Sequence, residues 1–314
     1  MKSLSLGDFK KKLSMDIEDS FFKEEVRCGF TVTEKQKKIW AVELDLVSKL
    51  LEVCKKYDLK VFVFAGTLLG AIRHKGFIPW DDDFDVVMYR DDFEKLQEIA
   101  TLEFREPYFF QTGLSDRSAF IGYGRLRNSL TTGYILDYES ATYHQGIYID
   151  VYVCDGLTHD EKKLHKQLII EKNLTKILNI YGNKIRTRNG LKKTMKRIIH
   201  NSFCRVIKYE KVVKWYRKNI TRYNKECEEV STLTHEMSII QRMKFSKKQF
   251  EDIIEMPYEN IMVPVPSDYD TMLHHMYGNY MEFPPIEQRG AWHEGIIEFD
   301  PDIPYQEFWE RQHH

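Results

Sequence analysis

Four aspartates crowd into residues 81–85, directly before the apolar run Val-Val-Met. A run of like charges is typical of a solvated loop, whereas Val and Met are typical of a buried strand. In a strand, residues two apart point to the same face of the sheet. We therefore predict that Asp83 and Asp85 project together from a strand whose other face, with Phe84 and Val86, packs into the core.

Two neighbouring carboxylates repel each other unless a cation lies between them. Oxygen ligands of this kind select Mg²⁺ or a similar ion, which binds through one or two carboxylates and the phosphates of a substrate. The acidic strand therefore predicts a phosphate–metal site. The alternative is a solvated acidic turn followed by a surface aspartate, since short acidic patterns are common.

The residues before the aspartates favour the phosphate site. Gly66 is predicted to turn the chain, which lets backbone N–H groups approach a phosphate. The next residues, "TLLGAIRH", predict a short helix whose N-terminus adds a favourable dipole. Arg73 follows, and a guanidinium pairs well with phosphate oxygens.

The bulk properties describe an intracellular globular protein. The chain has 314 residues and a net charge of -1, so any strongly charged function must come from local patches. Its five cysteines include no C-x-x-C pair, which indicates a reduced protein rather than a disulfide scaffold. We expect neither a signal peptide nor a membrane span, because no sufficiently long apolar stretch is present. A cytoplasmic location is therefore predicted.

Local patterns predict an α/β core with a mixed sheet. Thr33 to Tyr57 is predicted as a helix with a Thr33–Gln36 capping box. Asp91 is predicted to cap a later helix. The stretches "AFIGYGRLRNS" and "TGYILDY" are predicted to pair with each other as strands. The predicted strands and helices after the first helix are, in order, "KVFVFAG", "TLLGAIRH", "FDVVMY", "DFEKLQEIA", the two paired stretches and "GIYIDVYVCDG".

Three regions are predicted along the chain. Residues 1–159 form the catalytic core, 160–256 a basic helical region and 257–314 a C-terminal segment that returns to the active site. Between Lys192 and Lys225, twelve Lys and Arg residues are opposed only by Glu210. This basic stretch fits a solvated helix face, docking on an anionic membrane, or nucleic-acid binding. Of the two functional alternatives, membrane docking is preferred.

The stretch "FAGTLLGAIRHKGFIPWDDDFDVVM" resembles the signature of the LicD family. That family includes bacterial phosphorylcholine transferases and, more distantly, fukutin-type proteins. The preceding helix with Cys54 also matches the family pattern, as do "GRLRNSLTT", "GIYIDVYVCDG" and "GNYMEFPPIEQRGAWHEG". The resemblance runs from about Thr33 to Gly156 and again from Tyr277 to His293.

The resemblance implies a fold similar to the nucleotidyltransferases of the polymerase-β type, with a helical insertion. It places Gly66 and Thr67 at the phosphate turn. It makes Asp83 and Asp85 the metal pair and Asp150 a third carboxylate, either as a proton acceptor or as a further metal ligand. Asp81 would be an accessory ligand or would support the ligands.

Further residues are assigned to substrate by the same resemblance. Arg125 and Arg127 lie two apart on a predicted strand, so they could clamp phosphate together with Arg73, or face solvent. The resemblance also brings the C-terminal residues Glu287, Arg289 and His293 to the active site. Aromatic faces hold quaternary ammonium groups, so at least one of the aromatic residues near the predicted chemistry is expected to contact the donor's head group: Trp80, Tyr138, Tyr143 and Trp292.

The activity implied by the resemblance is transfer of a phospho-alcohol, with Mg²⁺ or Mn²⁺ as cofactor. The expected donor is CDP-choline or another CDP-alcohol, the acceptor is a hydroxyl of a cell-surface glycan, lipid-linked glycan or teichoic acid precursor, and CMP leaves. Such acceptors would place the protein at the inner face of the cell membrane as a peripheral contact. The alternatives are a CDP-glycerol, CDP-ribitol or nucleoside triphosphate donor, or a non-catalytic membrane- or nucleic-acid-associated protein.

Overall fold

The computed structural model describes residues 4–118, 120–135, 143–182, 206–290 and 296–313. The helices of these residues are α1 (Leu6–Lys10), α2 (Glu34–Lys56), α3 (Ala65–Arg73), α4 (Arg90–Glu103), α5 (Glu161–Gly182), α6 (Tyr209–Ile220), α7 (Met237–Arg242), α8 (Tyr269–Tyr277) and α9 (Tyr305–His313). The strands are β1 (Glu25–Arg27), β2 (Phe30–Val32), β3 (Phe62–Val63), β4 (Asp85–Tyr89), β5 (Tyr108–Gln111), β6 (Gly124–Asn128), β7 (Thr132–Ile135), β8 (Tyr148–Gly156), β9 (Glu229–Ser231), β10 (Phe245–Ser246), β11 (Ile253–Tyr258), β12 (Ile261–Pro266) and β13 (Ile297–Asp300).

A seven-stranded mixed sheet forms the centre of the fold, as predicted. Its main path runs β10-β9-β8-β4-β3, and β6 joins β8 while β5 joins β6. β4 and β8 are parallel, whereas the other pairs are antiparallel. The longest strand, β8, therefore supports β4 on one side and both β6 and β9 on the other.

Helix α2 begins where the sequence predicts. The Thr33 side chain accepts a hydrogen bond from the Gln36 amide at 3.2 Å, which caps the helix. The reciprocal half of the predicted capping box is absent, because the Gln36 side chain donates instead to the Asp81 carbonyl at 3.3 Å. The indole of Trp40 donates to the same carbonyl at 3.3 Å. One face of α2 therefore holds the acidic segment in place.

Two local predictions, of a turn and of a helix cap, are corrected by the structure. The turn predicted at Gly66 is made one residue earlier, where Ala65 has a φ of 46°, and Gly66 lies in the first turn of α3. Asp91 does not cap α4, because that helix begins at Arg90 and Tyr89 occupies the cap position.

The strands β6 and β7 do not pair with each other, in contrast to the prediction from their sequence proximity. β6 has β5 along one edge and β8 along the other, so neither edge is left for β7. β7 pairs instead with β13 near the C-terminal end of the chain. The pairing was missed because the partner strand lies more than 150 residues away in sequence.

Two clusters of buried apolar residues stabilise the fold. The larger lies between the central sheet and helices α2, α3 and α4. The smaller lies around α5 and α6, and its members include Leu164, Leu178, Val212, Tyr216 and Ile220. The basic residues Lys192, Lys193, Lys196, Arg197 and Arg205 lie outside the described residues. In the part of the chain that is described, no helix has the length and apolar character needed to cross a bilayer.

Candidate active site

The sheet brings two of the predicted carboxylates side by side. Asp85 is the first residue of β4, and the parallel register places it opposite Asp150 on β8. The backbone of Asp85 is held from the other side, because the Phe64 amide donates to its carbonyl at 3.0 Å. Its own amide donates to the hydroxyl of Thr67 at 2.8 Å. Thr67 is thus buried and occupied in fixing β4.

Asp85 is a buried carboxylate whose nearest compensating charge, Arg125, is bound to Asp150 instead. It is 7% exposed, and its Oδ1 has no hydrogen-bond partner among the described residues. Burial raises the pKa of this carboxyl well above its ordinary value, and the charges of Asp83 and Asp150 raise it further. A positive charge brought to Oδ1 would relieve both effects. Asp83 lies two residues before β4, so the prediction that it projects from the same strand as Asp85 is wrong. It is half-buried and acts on Asp85 through its charge.

Asp150 has a cationic partner within the protein. The Arg125 Nε donates to its Oδ1 at 2.6 Å, and these two residues face each other across β6 and β8. The Tyr152 hydroxyl donates more weakly to Oδ2 at 3.4 Å. Asp150 is therefore oriented through Oδ1, which leaves Oδ2 as its less constrained oxygen.

Arg125 and Arg127 share a face, as their spacing predicts. Both guanidinium groups pack over the ring of Tyr148, at 4.2 and 4.5 Å from its centroid. Arg127 is 1% exposed and donates to Gln111 at 2.6 Å and to the Gly146 carbonyl at 2.7 Å. The solvated alternative is therefore wrong for Arg127, whose side chain is buried among protein acceptors.

Asp81 lies against the first turn of α3. A Cβ added to Gly66 would be 2.9 Å from Asp81 Oδ2, so any larger residue at this position would make the carboxylate shift. Burial raises the pKa of Asp81, and the charges of Asp85 and Asp82 raise it in the same direction. Gly66 thus makes room for a carboxylate at the position where the sequence predicts room for a phosphate.

Glu43 of α2 is a further carboxylate at the acidic segment, and it is not among the residues predicted from the sequence. It is 1% exposed, and neither side-chain oxygen has a hydrogen-bond partner among the described residues. Burial raises its pKa well above the ordinary value, followed by the charges of Asp83 and Asp82. The sequence places Glu43 three residues after Trp40, on the same helix face, but the contact of that face with the acidic segment is known only from the structure.

A cavity of about 390 Å³ opens beside Asp81 and Gly66. Aromatic residues line it, namely Trp80, Tyr277, Tyr280 and Phe283. Three of these four lie in the C-terminal segment, which the structure thus brings against the acidic segment. We call this space the aromatic cavity.

Two arginines contribute positive charge to the aromatic cavity. Arg73 lines it and donates to the carbonyls of Tyr280 and Glu282 at 2.8 and 3.0 Å. Arg289 donates to the Cys28 carbonyl at 3.0 Å, and its guanidinium lies 4.8 Å from the centre of the Trp80 ring. Within the described ranges, neither arginine forms an ion pair with a carboxylate. These two guanidinium groups could bind an anion, and the carboxylates of Asp81 and Glu282 also line the cavity.

The other predicted site residues are dispersed or not described. Glu287 is exposed in a short 3₁₀ turn. Tyr143 is buried. Three assigned residues lie outside the described residues: Tyr138, Trp292 and His293. No group of three or more His, Cys, Asp or Glu side chains within the described ranges is arranged to hold a metal ion by itself.

Comparison with known proteins identifies one relative over most of the chain and shorter matches within it. Residues 58–169 match the family model described as "LicD/FKTN/FKRP, nucleotidyltransferase domain". The chain is 25% identical over 256 residues, 80% of its length, to the lipopolysaccharide cholinephosphotransferase LicD of Haemophilus influenzae, of which the match covers 92%. Uncharacterized proteins of Rickettsia prowazekii and Rickettsia typhi are 42% and 40% identical over 62 residues, which span 21% and 18% of those proteins. The predicted resemblance is confirmed, and the matched domain contains Asp81, Asp83, Asp85 and Asp150.

Proposed function

Since the chain carries a LicD family domain over residues 58–169, we propose that it is a phosphotransferase. It moves phosphocholine, or a related phospho-alcohol, from a CDP-alcohol to a hydroxyl of a cell-surface glycan or teichoic acid precursor and releases CMP. The name of the Haemophilus influenzae relative supports a cholinephosphotransferase acting on lipopolysaccharide. The observation that carries the proposal is the register that places Asp85 beside Asp150, with a buried and unpartnered Oδ1 on Asp85.

The donor set fits a divalent cation such as Mg²⁺ or Mn²⁺. Asp85 offers a buried carboxylate oxygen that lacks a partner, and neighbouring negative charges raise its pKa. Asp83 and Asp85 would hold the ion, and Asp81 would be an accessory ligand or would support the ligands. Mg²⁺ needs only one or two carboxylates when substrate phosphates complete its ligands, so a closed protein cage is not required. When bound, the ion would neutralise negative charge on the diphosphate and on the CMP that leaves.

The remaining steps belong to side chains of the protein. Arg125 fixes Asp150 through Oδ1, so that Oδ2 orients the acceptor hydroxyl and accepts its proton. Arg73 and Arg289 bind phosphate oxygens in the aromatic cavity, since their charges lack a carboxylate partner among the described residues. Thr67 acts indirectly, because its hydroxyl fixes the backbone of Asp85.

We also infer that the core is of the nucleotidyltransferase type. The order β3, α3, β4 places a helix N-terminus next to an acidic strand. The parallel neighbour β8 supplies the third carboxylate in register. This arrangement supports the polymerase-β-like core that the family resemblance implies.

The catalytic assignment is tested by Asp85→Asn. We expect CMP release from CDP-choline, measured with Mg²⁺ and purified lipopolysaccharide or teichoic acid precursor as acceptor, to fall by at least ~100-fold, the effect of removing one preorganised electrostatic group. Asp91→Asn is the matched control, because Asp91 is exposed in the first turn of α4, and it should retain turnover. Near-normal turnover in Asp85→Asn, or full activity with excess EDTA, would contradict the assignment.

One observation favours a second donor class, CDP-glycerol or CDP-ribitol. Arg289 lies over Trp80, and both Arg289 and Arg73 lie within 5.5 Å of the Phe283 ring centre. A quaternary ammonium at these rings would meet like charges, whereas a polyol would not. Calorimetry with CDP-choline, CDP-ethanolamine, CDP-glycerol and CMP under the same Mg²⁺ decides between the donors. Tighter binding and faster turnover of CDP-glycerol would replace phosphocholine by glycerol phosphate in the proposal.

A further inference from the structure

Helix α6 presents a basic face to solvent. Its exposed basic residues follow one another at intervals of three or four positions, which places them along one stripe of a helix. We call this stripe, which extends past both ends of α6, the α6 basic face: Lys208, Lys211, Lys214, Lys218 and Arg222. The opposite side of α6 is buried in the smaller apolar cluster with α5, so the helix is fixed with its basic face outward.

The α6 basic face carries a surplus of positive charge among the described residues. Glu210 is the one acidic residue within α6, and it pairs with Arg117 at 2.5 Å. Arg217, on the flank of the helix, pairs with Glu94. No ion pair with a carboxylate is formed by the five basic residues of the face within the described ranges. In sequence, residues 192–205 add five further Lys and Arg residues.

A tryptophan lies within the same stripe. Trp215 is 43% exposed and lies four residues after Lys211 and three before Lys218. The Lys211 Nζ is 5.3 Å from the centre of its ring. A basic stripe alone would suit any polyanion, but an exposed indole among lysines suits the boundary between lipid head groups and acyl chains.

We propose that the α6 basic face docks the protein on an anionic phospholipid bilayer, with Trp215 in the head-group region. The basic residues supply the attraction to the negatively charged surface, which falls off within a Debye length and is therefore sensitive to salt. The indole supplies contact with the apolar boundary. This surface is separate from the carboxylate site and does not depend on the phosphotransferase assignment.

The test is co-sedimentation with vesicles of phosphatidylglycerol and phosphatidylcholine, compared with vesicles of phosphatidylcholine alone. We expect binding to the anionic vesicles, with release by high salt. Replacing Lys208, Lys211 and Lys218 by Gln should weaken binding about 100-fold, because each lost charge removes a similar share of the attraction to the anionic surface. The matched control replaces three exposed lysines outside α6 by Gln, which changes the net charge equally and should leave binding nearly intact: Lys11, Lys35 and Lys56.

Fluorescence tests the placement of Trp215. Brominated lipids should quench part of the tryptophan emission of the bound protein, and Trp215→Phe should remove that quenched part. The proposal is overturned by equal binding to neutral and anionic vesicles, by an equal loss in the control variant, or by no binding. Salt-sensitive binding to RNA that exceeds vesicle binding would overturn it in favour of a nucleic-acid partner. These readouts need no turnover, so their failure leaves the proposed activity standing.

Discussion

Replacement of Asp155 by Asn separates the roles of the two aspartates in β8. Asp155 is 1% exposed. The Arg90 guanidinium donates two hydrogen bonds to its carboxylate, from Nε at 3.0 Å and from Nη2 at 2.5 Å. Asn224 donates to the same carboxylate at 2.9 Å. The arrangement connects α4, β8 and the segment after α6, so we assign Asp155 to stability rather than to chemistry.

The magnitude follows from the burial of both partners. Asn preserves the shape of Asp155 but leaves the guanidinium of Arg90, which is 8% exposed, without a counter-charge. Breaking a buried pair in this way costs about 3–5 kcal/mol of unfolding free energy. Replacing both members, as Arg90→Met with Asp155→Leu, should recover most of that loss, because an apolar pair avoids the desolvation of two charges.

Turnover should respond differently from stability. Asp155 lies five residues beyond Asp150, which is about 17 Å along an extended strand. The folded fraction of Asp155→Asn should therefore keep its rate of CMP release per molecule. Urea unfolding followed by circular dichroism gives the stability, and CMP release is measured under conditions in which the variant is folded. A destabilisation below about 1 kcal/mol, or a lost rate in folded protein, would refute this division of roles.

Two further predictions concern the acidic segment. Gly66→Ala should reduce turnover by about 10- to 100-fold, because the added Cβ displaces the carboxylate of Asp81 and small displacements in a site are costly; an unchanged kcat/KM would contradict this. Glu43→Gln should raise the unfolding free energy of metal-free protein near pH 7 but not near pH 4. The folded-state pKa of Glu43 is raised above its ordinary 4.5, so wild-type protein loses stability as the pH rises above that value, and Gln removes the loss. If the unfolding free energies of the two proteins depended on pH in the same way, this prediction would be wrong.

Elements with a local pattern were predictable from the sequence. The cap at Thr33 and the apolar face that follows it locate α2 closely. The alternation of strand and helix from Lys60 to Ala100 and the long strand β8 also match. The pairing of distant strands could not be predicted in this way, because the four residues of β7 carry no information about β13. Loop conformation was equally hidden, as the positive φ at Ala65 rather than at Gly66 illustrates.

The site was predictable in its residue types but not in their bonds. The spacing and the family resemblance selected Asp85 and Asp150, which the sheet places in register. The pairing of Arg125 with Asp150 depends on the antiparallel register of β6 and β8, which the sequence does not specify. Glu43 escaped notice because a carboxylate in an apolar helix face gains meaning only when the facing segment is known. The roles of these residues in substrate binding stay predictions.

The parallel pairing of β4 with β8 also adds to the entropy that is lost during folding. Asp85 and Asp150 are 65 positions apart in the chain, and β5, β6 and β7 lie between them. Contacts of such long sequence separation slow folding, because the entropy of loop closure is lost before the contact stabilises anything. During synthesis, the acidic segment leaves the ribosome well before its partner carboxylate exists. Any ligand that needs both carboxylates can therefore bind only once β8 has docked, and its capture marks the completion of the core.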